Sequence, residues 1–313
     1  MKNENIFITG GAGFLGQHLI ERLHEDNHIT VYSRDEAKHY YLKKQYPNVK
    51  FVIGDVGDRD HLVRSSEGHS RGIFAASLKQ IEACNDNYEV AAKTIIDGAI
   101  NSRIAAEENR FFSACFISSD KSRSATTIYG GMKYVAGECF IANAESSKYT
   151  THLTTAIYGN VMNSTGSIIP LIWKSIESDR VLTLYDTEMT RFLLDIDDAV
   201  DVVMYSLNLG RSGCNVIPKL DSFRIVDIFE IYKKKFGLRY EIGFPRTGEK
   251  VHEILASEEE MRRMDTKDNK YMLLPPNGNN QDFYIPEDYS SRDHTIPKES
   301  LDKFLEKRNY YKP

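Results

Sequence analysis

Asn5-Ile-Phe-Ile-Thr9 runs directly into Gly10-Gly-Ala-Gly13-Phe-Leu-Gly16 and then into an amphipathic run from Phe14 to His24. Short apolar strand, glycine loop and helix, in that order, form the unit that binds dinucleotides. Two glycine spacings fit: Gly11, Gly13 and Gly16 match G-x-G-x-x-G, and Gly10, Gly13 and Gly16 match a wider G-x-x-G-x-x-G. In both, the glycines allow a tight turn and let backbone N–H groups along Gly13-Phe14-Leu15-Gly16 approach a pyrophosphate at the helix N-terminus. An ordinary βα turn is the bland alternative.

Working outward, His28–Tyr32, Val49–Ile53 and Ile73–Ala76 read as further strands, and Tyr88–Glu108 as one long helix. Strands alternating with helices specify a parallel, doubly wound α/β sheet of the Rossmann type. The second strand ends in Ser33-Arg34, where a carboxylate would hold the ribose of NAD. A hydroxyl and a guanidinium suit a 2′-phosphate, so the expected cofactor is NADP, with Asp35 on the ribose as the alternative. Asp55 and Val56 follow the third strand and are placed to contact the adenine; a turn or capping role for Asp55 competes. Ala75 and Ala76 are small enough for the chain to pass close to the cofactor, with Lys79 just beyond.

The stretch from Phe111 to Lys133 holds the chemistry. Phe112–Ile117 is an apolar strand whose carboxyl end carries Asp120 and Lys121, on the side of an open sheet where ligands bind. Tyr129 and Lys133 are four apart, so a helix running to about Ser146 projects both from one face, and the lysine charge would favour the phenolate. After the strand Tyr149–Ile157 the alternation fades near Asn160. The expected division is an NADP-binding domain over 1–160, with a returning segment near 193–218. A smaller α/β substrate domain then covers 161–313. Helices are expected at Ile168–Glu177, Ile196–Leu207 and Ile225–Phe236, and extended structure from Pro275 to Tyr289. Arg191, Arg246 and Lys250 form a plausible diphosphate clamp.

Bulk properties narrow the class. A length of 313 residues with 41% apolar composition suffices for a full core. A net charge of -5 with interspersed signs argues against nucleic-acid or acidic-membrane partners. Cys84, Cys115, Cys139 and Cys214 are scattered, as in a reducing compartment, and His24 and His28 flank a helix end, so no metal site is expected. No signal-peptide core or spanning segment is apparent, so a cytoplasmic protein without membrane contact is expected. A G-x-S-x-G elbow and a P-loop are both missing, which disfavours acyl transfer and nucleotide hydrolysis.

Together these motifs resemble the extended short-chain dehydrogenase/reductase enzymes acting on nucleotide sugars. More narrowly, they resemble the inverting UDP-N-acetylglucosamine 4,6-dehydratases, the 5-epimerising enzymes that open the pseudaminic acid pathway. The likeness runs from Ile6 to about Glu253, with a weaker echo at Tyr289-Ser-Ser291. Beyond the glycine loop it is carried by Tyr32-Ser-Arg-Asp-Glu36, Gly54-Asp-Val56, Ala75-Ala-Ser-Leu-Lys79, Ser119-Asp-Lys121 and Tyr129-x-x-x-Lys133. Further along come Tyr158-Gly-Asn-Val161, Gly166-Ser-Ile-Ile-Pro170, Met189-Thr-Arg-Phe192, Pro218-Lys219 and Gly248-Glu-Lys-x-His-Glu253. An ordinary short-chain dehydrogenase has Ser or Thr where Asp120-Lys121 stand, so that pair points to the dehydratases.

The resemblance implies NADP as cofactor, a UDP-sugar as substrate, and a homo-oligomer, dimer or hexamer. It implies that Tyr129, its pKa lowered by Lys133 and by the cofactor's positive ring, takes the C4 hydroxyl proton as hydride leaves C4. A neutral Lys121 then removes the C5 proton, and a protonated Asp120 delivers one to the departing C6 hydroxyl. Hydride returns to C6, and reprotonation of C5 from the opposite face inverts it. Lys79, Asn160, Arg191, Arg246 and Glu249 are the implied substrate contacts. The chain departs from the family pattern at Gln80 and Phe74, both usually His, at Ile95, usually Asn, and at Gly131-Met132, usually Ala-Thr. Gln80 keeps a hydrogen bond but carries no proton. Rival readings are a nucleotide-sugar 4-epimerase, a dehydratase stopping at a 5,6-alkene, and a non-catalytic NADP-binding sensor.

Overall fold

Alternation of strand and helix over the first half of the chain builds one twisted sheet. The computed structural model describes residues 1–244, 248–276 and 287–312. The first elements are β1 Asn5–Thr9, α1 Phe14–Leu23, β2 His28–Ser33, α2 Glu36–Gln45, β3 Lys50–Ile53, α3 Arg59–Ser65 and β4 Arg71–Phe74. Next come α4 Ile81–Asp86, α5 Tyr88–Ala92, α6 Gly98–Glu108, β5 Ser113–Ile117, α7 Ile128–Ile141 and β6 His152–Ala156. The remainder holds α8 Ile168–Glu177, β7 Leu182–Leu184, β8 Thr190–Phe192, α9 Ile196–Asn208, β9 Cys214–Pro218, β10 Ser222–Arg224 and α10 Ile225–Phe236. It closes with β11 Tyr240–Ile242, β12 Ile254–Ala256, α11 Glu258–Met261, β13 Tyr271–Leu274, β14 Tyr289–Ser290 and α12 Lys298–Lys307.

The main sheet has eight strands in the order β3-β2-β1-β4-β5-β6-β9-β13. Every pairing is parallel except β13 on β9. Strand order reverses between β1 and β4, which opens a crevice at the carboxyl ends. Period-two alternation sorts the side chains of β1 to the two faces. Ile6 and Ile8 pack with Leu19 and Ile20 of α1 and Val203 of α9. Phe7 faces the other way, into the cluster of Tyr32, Phe74, Phe116 and Phe140. Each such fully buried side chain contributes roughly 1.5–3 kcal/mol, which is what holds the strand ends in register beneath the crevice.

The structure departs from the sequence reading at two helices and adds two that the sequence reading does not single out. The helix expected over Tyr88–Glu108 is broken into α5, a π-helical turn at Lys93–Asp97 and α6. The wider turn leaves Thr94 buried on the wall of the crevice, and such turns recur at functional sites. Helix α7 stops at Ile141 because Asn143 adopts a left-handed conformation at φ 53°, and only a short 3₁₀ turn follows at Ala144–Ser146. Helices α2 and α3 have little apolar periodicity and are started by the side chains of Asp35 and Asp58, which accept from Lys38 N and His61 N.

Besides β9, which lies in the returning segment near 193–218, the sheet draws in β13 as an antiparallel edge. A second lobe packs α8, α10 and α12 around Ile172, Phe229, Tyr232 and Leu301. Between the lobes, β12 pairs antiparallel with β14. That small ribbon brings Glu253 up to the carboxyl end of β5.

Candidate active site

The crevice at the switch point is about 630 Å³ and runs from the glycine loop to Asn160 and Glu249. Its walls include every residue expected to hold the cofactor: Gly10, Gly13, Phe14, Leu15, Gly16, Ser33, Arg34, Asp55, Val56, Ala75, Ala76, Lys79, Tyr129 and Lys133. The two glycine spacings are separated by structure. Gly10, Gly13 and Gly16 line the crevice, whereas Gly11 packs on Val31. Gly10 has φ +69°, and a Cβ there would fall 2.8 Å from Ala76 N; one on Gly16 would fall 2.4 Å from Gly11 Cα. The bare backbone therefore forms a cradle at the N-terminus of α1 that fits a pyrophosphate.

At the adenosine end, Arg34 sits half-exposed on the rim, 3.6 Å from Asp55 Oδ2. Asp35 is committed elsewhere: its carboxylate caps α2 and pairs with Lys38 at 2.9 Å. Ser33 Oγ shares a 2.6 Å hydrogen bond with His39 Nε2. Asp55 Oδ1 accepts from Gly57 N at 2.8 Å, so its side chain shapes the turn as well as lining the pocket.

At the other end, the turn Asp120–Ser122 follows β5 after Ser118 and Ser119, and Ser119 caps it. Asp120 is 1% exposed and lies behind the crevice wall, accepting from Ser119 Oγ at 2.7 Å and Lys121 N at 2.9 Å. Lys121 does line the crevice. Its Nζ donates to Asn160 Oδ1 at 2.9 Å and to Asp120 Oδ1 and Oδ2 at 3.3 and 3.4 Å, with Glu253 Oε1 at 3.5 Å. Burial opposes the ammonium, but Asp120 and Glu253 outweigh it and hold Lys121 above the ordinary lysine range. The carboxylates favour the ammonium of Lys121, whereas the expected C5 base is the neutral amine.

Tyr129 and Lys133 project together from α7, but not with the expected charges. Burial pushes the Tyr129 phenol up to about 12; the Lys121 charge works against that rise, and Asp120 adds to it. Burial pulls Lys133 down to about 7, and its Nζ donates to Ile117 O at 2.6 Å. The cation working to lower Tyr129 is thus Lys121 rather than Lys133, because Lys133 is sealed from water and paired with a carbonyl.

Among the expected substrate contacts, Asn160, Lys79 and Glu249 line the crevice. Lys79 reaches across it to donate to Thr165 O at 2.7 Å. Arg191 is not brought to the crevice. Its guanidinium pairs with Glu249 at 2.6 Å, lies 3.6 Å from Glu253, and donates to the carbonyls of Thr190 and Val251. Lys250 donates to Arg123 O at 2.6 Å. The expected diphosphate clamp is therefore not assembled from these two residues, and Arg246 lies outside the described residues. Sequence reasoning missed Glu253, although it ends the motif Gly248-Glu-Lys-x-His-Glu253; its spacing from Lys121 gives no local sign of contact. It also missed Thr94, hidden by the π turn.

No helix among the described residues is long and apolar enough to cross a membrane. Residues 6–275 match the family described as polysaccharide biosynthesis protein. The chain is 33% identical over 280 residues to the UDP-N-acetylglucosamine 4,6-dehydratase (inverting) of Campylobacter jejuni, covering 87% of this chain and 83% of that one. It is 32% identical over 292 residues to the UDP-glucose 4-epimerase of Rickettsia felis, covering 90% and 85%. The structure of Pen from Bacillus thuringiensis superposes with a TM-score of 0.89 at 26% identity, over 99% of both chains. With its glycine cradle, its Tyr129-x-x-x-Lys133 pair and these matches, the chain belongs to the polysaccharide biosynthesis protein family of extended short-chain dehydrogenase/reductases, enzymes that act as nucleotide-sugar dehydratases and epimerases with a nicotinamide cofactor.

Proposed function

We propose that the protein is an NADP-dependent UDP-N-acetylglucosamine 4,6-dehydratase that inverts C5. The observation that carries this reading is the Asp120–Lys121 pair, held against the crevice beside Tyr129. An epimerase needs acid–base chemistry only at C4, which Tyr129 serves. A second acid–base pair has work to do only if a neighbouring C–H and C–O bond are also broken.

The glycine cradle would hold the pyrophosphate of the cofactor and Arg34 its 2′-phosphate; when bound, the nicotinamide accepts hydride at one sugar carbon and returns it at another. Tyr129 takes the C4 hydroxyl proton as the phenolate, a form that the nearby Lys121 charge favours against burial and that the positive ring of a bound cofactor would favour further. The resulting ketone acidifies C5–H. Lys121 becomes the base for that proton by first passing its own to Asp120, 3.3 Å away. The transfer turns an ion pair into a neutral pair, which a dry, substrate-filled site favours. It leaves a free amine facing C5; because Asp120 lies behind the wall, the proton for the departing C6 hydroxyl is delivered by Lys121 once it has taken the C5 proton, and the Asp120 acid then re-protonates Lys121. Tyr129, holding the proton taken from the C4 hydroxyl, then protonates C5 on the face opposite Lys121, as inversion requires. Asn160 fixes the Lys121 amine in place throughout, and the scattered thiols fit action in the cytoplasm.

The 4-epimerase remains the second reading, favoured by the Rickettsia relative at nearly equal identity. Mass spectrometry of the nucleotide sugar after incubation with NADP+ and UDP-N-acetylglucosamine separates the two. Loss of one water supports the dehydratase, and an isomer of unchanged mass supports the epimerase.

A further inference from the structure

Glu253 lies outside the machinery just described, yet it reaches the centre of it. Its side chain is 4% exposed; Oε1 stands 3.5 Å from Lys121 Nζ and 3.6 Å from Arg191 Nε. Oε2 is buried without a hydrogen-bond partner among the described residues. A carboxylate kept for stability alone would satisfy both oxygens, since a buried acceptor left unpaired is costly.

The fold takes trouble to deliver this group. Glu253 N donates to Ser291 Oγ and Ser291 N to Glu253 O, each at 2.9 Å. Ser291 Oγ is tied in turn to Thr190 Oγ1 at 2.7 Å. The Tyr289-Ser-Ser291 segment, the isolated echo at the far end of the sequence, is therefore the anchor that sets the Glu253 backbone against the turn bearing Lys121.

We propose that Glu253 is a positioning residue that sets the charge of Lys121: it supplies a second buried carboxylate to the ammonium, while Arg191 serves as its own counter-ion. Among the described residues, the charged or titratable groups around Lys121 are Asp120, Glu253, Arg191, Tyr129, Lys79 and Lys250. Asp120 and Glu253 are the two carboxylates among them in contact with Nζ. With both charged, Lys121 keeps its proton until a transfer to Asp120 becomes favourable; that transfer leaves the charge of the Glu253–Arg191 pair unchanged. Glu253 thereby disfavours loss of the Lys121 proton to solvent. The catalytic consequence rests on the dehydratase reading; the charge relation does not.

Two readouts keep these apart. In protein labelled with 13C at lysine Cε, the Lys121 resonance, assigned by its loss in Lys121→Met, is followed against pH. Glu253→Gln should lower its titration midpoint by about one pH unit or more, a tenfold easier deprotonation. Glu253→Asp, which retracts the carboxylate by one methylene, should lower it less. An unchanged midpoint in both variants overturns the proposal. With UDP-N-acetylglucosamine and NADP+, the alkaline limb of kcat should move to lower pH in Glu253→Gln. A uniform loss of kcat with no movement of the limb overturns the positioning role. No turnover by the wild-type protein counts against the dehydratase reading, while the NMR titration still decides the charge relation.

Discussion

Asp120 and Lys121 are neighbours in sequence and partners in space: Lys121 Nζ lies 3.3 Å from Asp120 Oδ1. Adjacent residues on a strand point to opposite faces, so this contact depends on the turn Asp120–Ser122 that starts two residues beyond β5. The turn buries the carboxylate behind the wall and leaves the amine in the crevice, which separates an acid from a base only one residue apart.

Replacing either partner should stop elimination without emptying the cofactor site. Asp120→Asn and Lys121→Met are expected to lower the rate of water loss about 10²–10⁴-fold, the range for a positioned acid or base. NADP+ affinity, followed by quenching of protein fluorescence, should change little. Equal turnover in either variant would refute its assigned role.

Cofactor choice should depend on Arg34. Removing a charge-assisted contact to the 2′-phosphate costs about 1.5–3 kcal/mol, so Arg34→Ala should weaken NADP+ binding roughly 10–100-fold. NAD+ binding should be nearly unaffected, since Asp35 is occupied as a helix cap. Parallel loss of both affinities would assign Arg34 to structure.

Lys133 makes stability depend on pH. Its folded value near 7 lies below the roughly 10.4 of an unfolded lysine. Between these values the unfolded chain binds more protons, so stability attributable to this residue rises with pH and is poorest below about 7. Relative to Lys133→Met, the wild-type protein should gain up to about 1.4 kcal/mol per pH unit across that window, measured by urea unfolding. A gap that does not vary with pH would mean Lys133 is charged in the folded protein.

Two glycines offer opposite outcomes. Gly16→Ala forces a Cβ to 2.4 Å from Gly11 Cα, and backbone there has little room to yield. A loss of about 1–3 kcal/mol in stability, with weaker cofactor binding, is expected. At Gly131, inside α7, a Cβ meets nothing within 4 Å. Gly131→Ala should stabilise by roughly 0.5–1 kcal/mol. Thermal denaturation of both variants checks the pair.

How much was legible in the sequence follows from the range of the interactions involved. The glycine loop, the strand to Ile117 and the Tyr129/Lys133 spacing are local patterns, and they locate the crevice, the doubly wound sheet and the reactive side chains. Charge states are not local. Lys121 is held above the ordinary lysine range by its neighbour Asp120 and by Glu253, which arrives on a ribbon far along the chain, and Lys133 is depressed by burial. Arg191 looked like a phosphate ligand until Glu249 and Glu253 were found to occupy it. The π turn that presents Thr94 has the same apolar spacing as an ordinary helix over so few residues, and β13 is a short edge strand defined by its partner β9.

The central claim is that Lys121 and Asp120 break the C5–H and C6–O bonds of the sugar. It is tested most directly by turnover of UDP-N-acetylglucosamine with NADP+ in D2O, with the product followed by NMR. The account predicts a 4-keto sugar with a C6 methyl group, deuterium at C5 and inverted configuration there. A sugar that retains its C6 hydroxyl and C5 hydrogen and is altered only at C4 would contradict it.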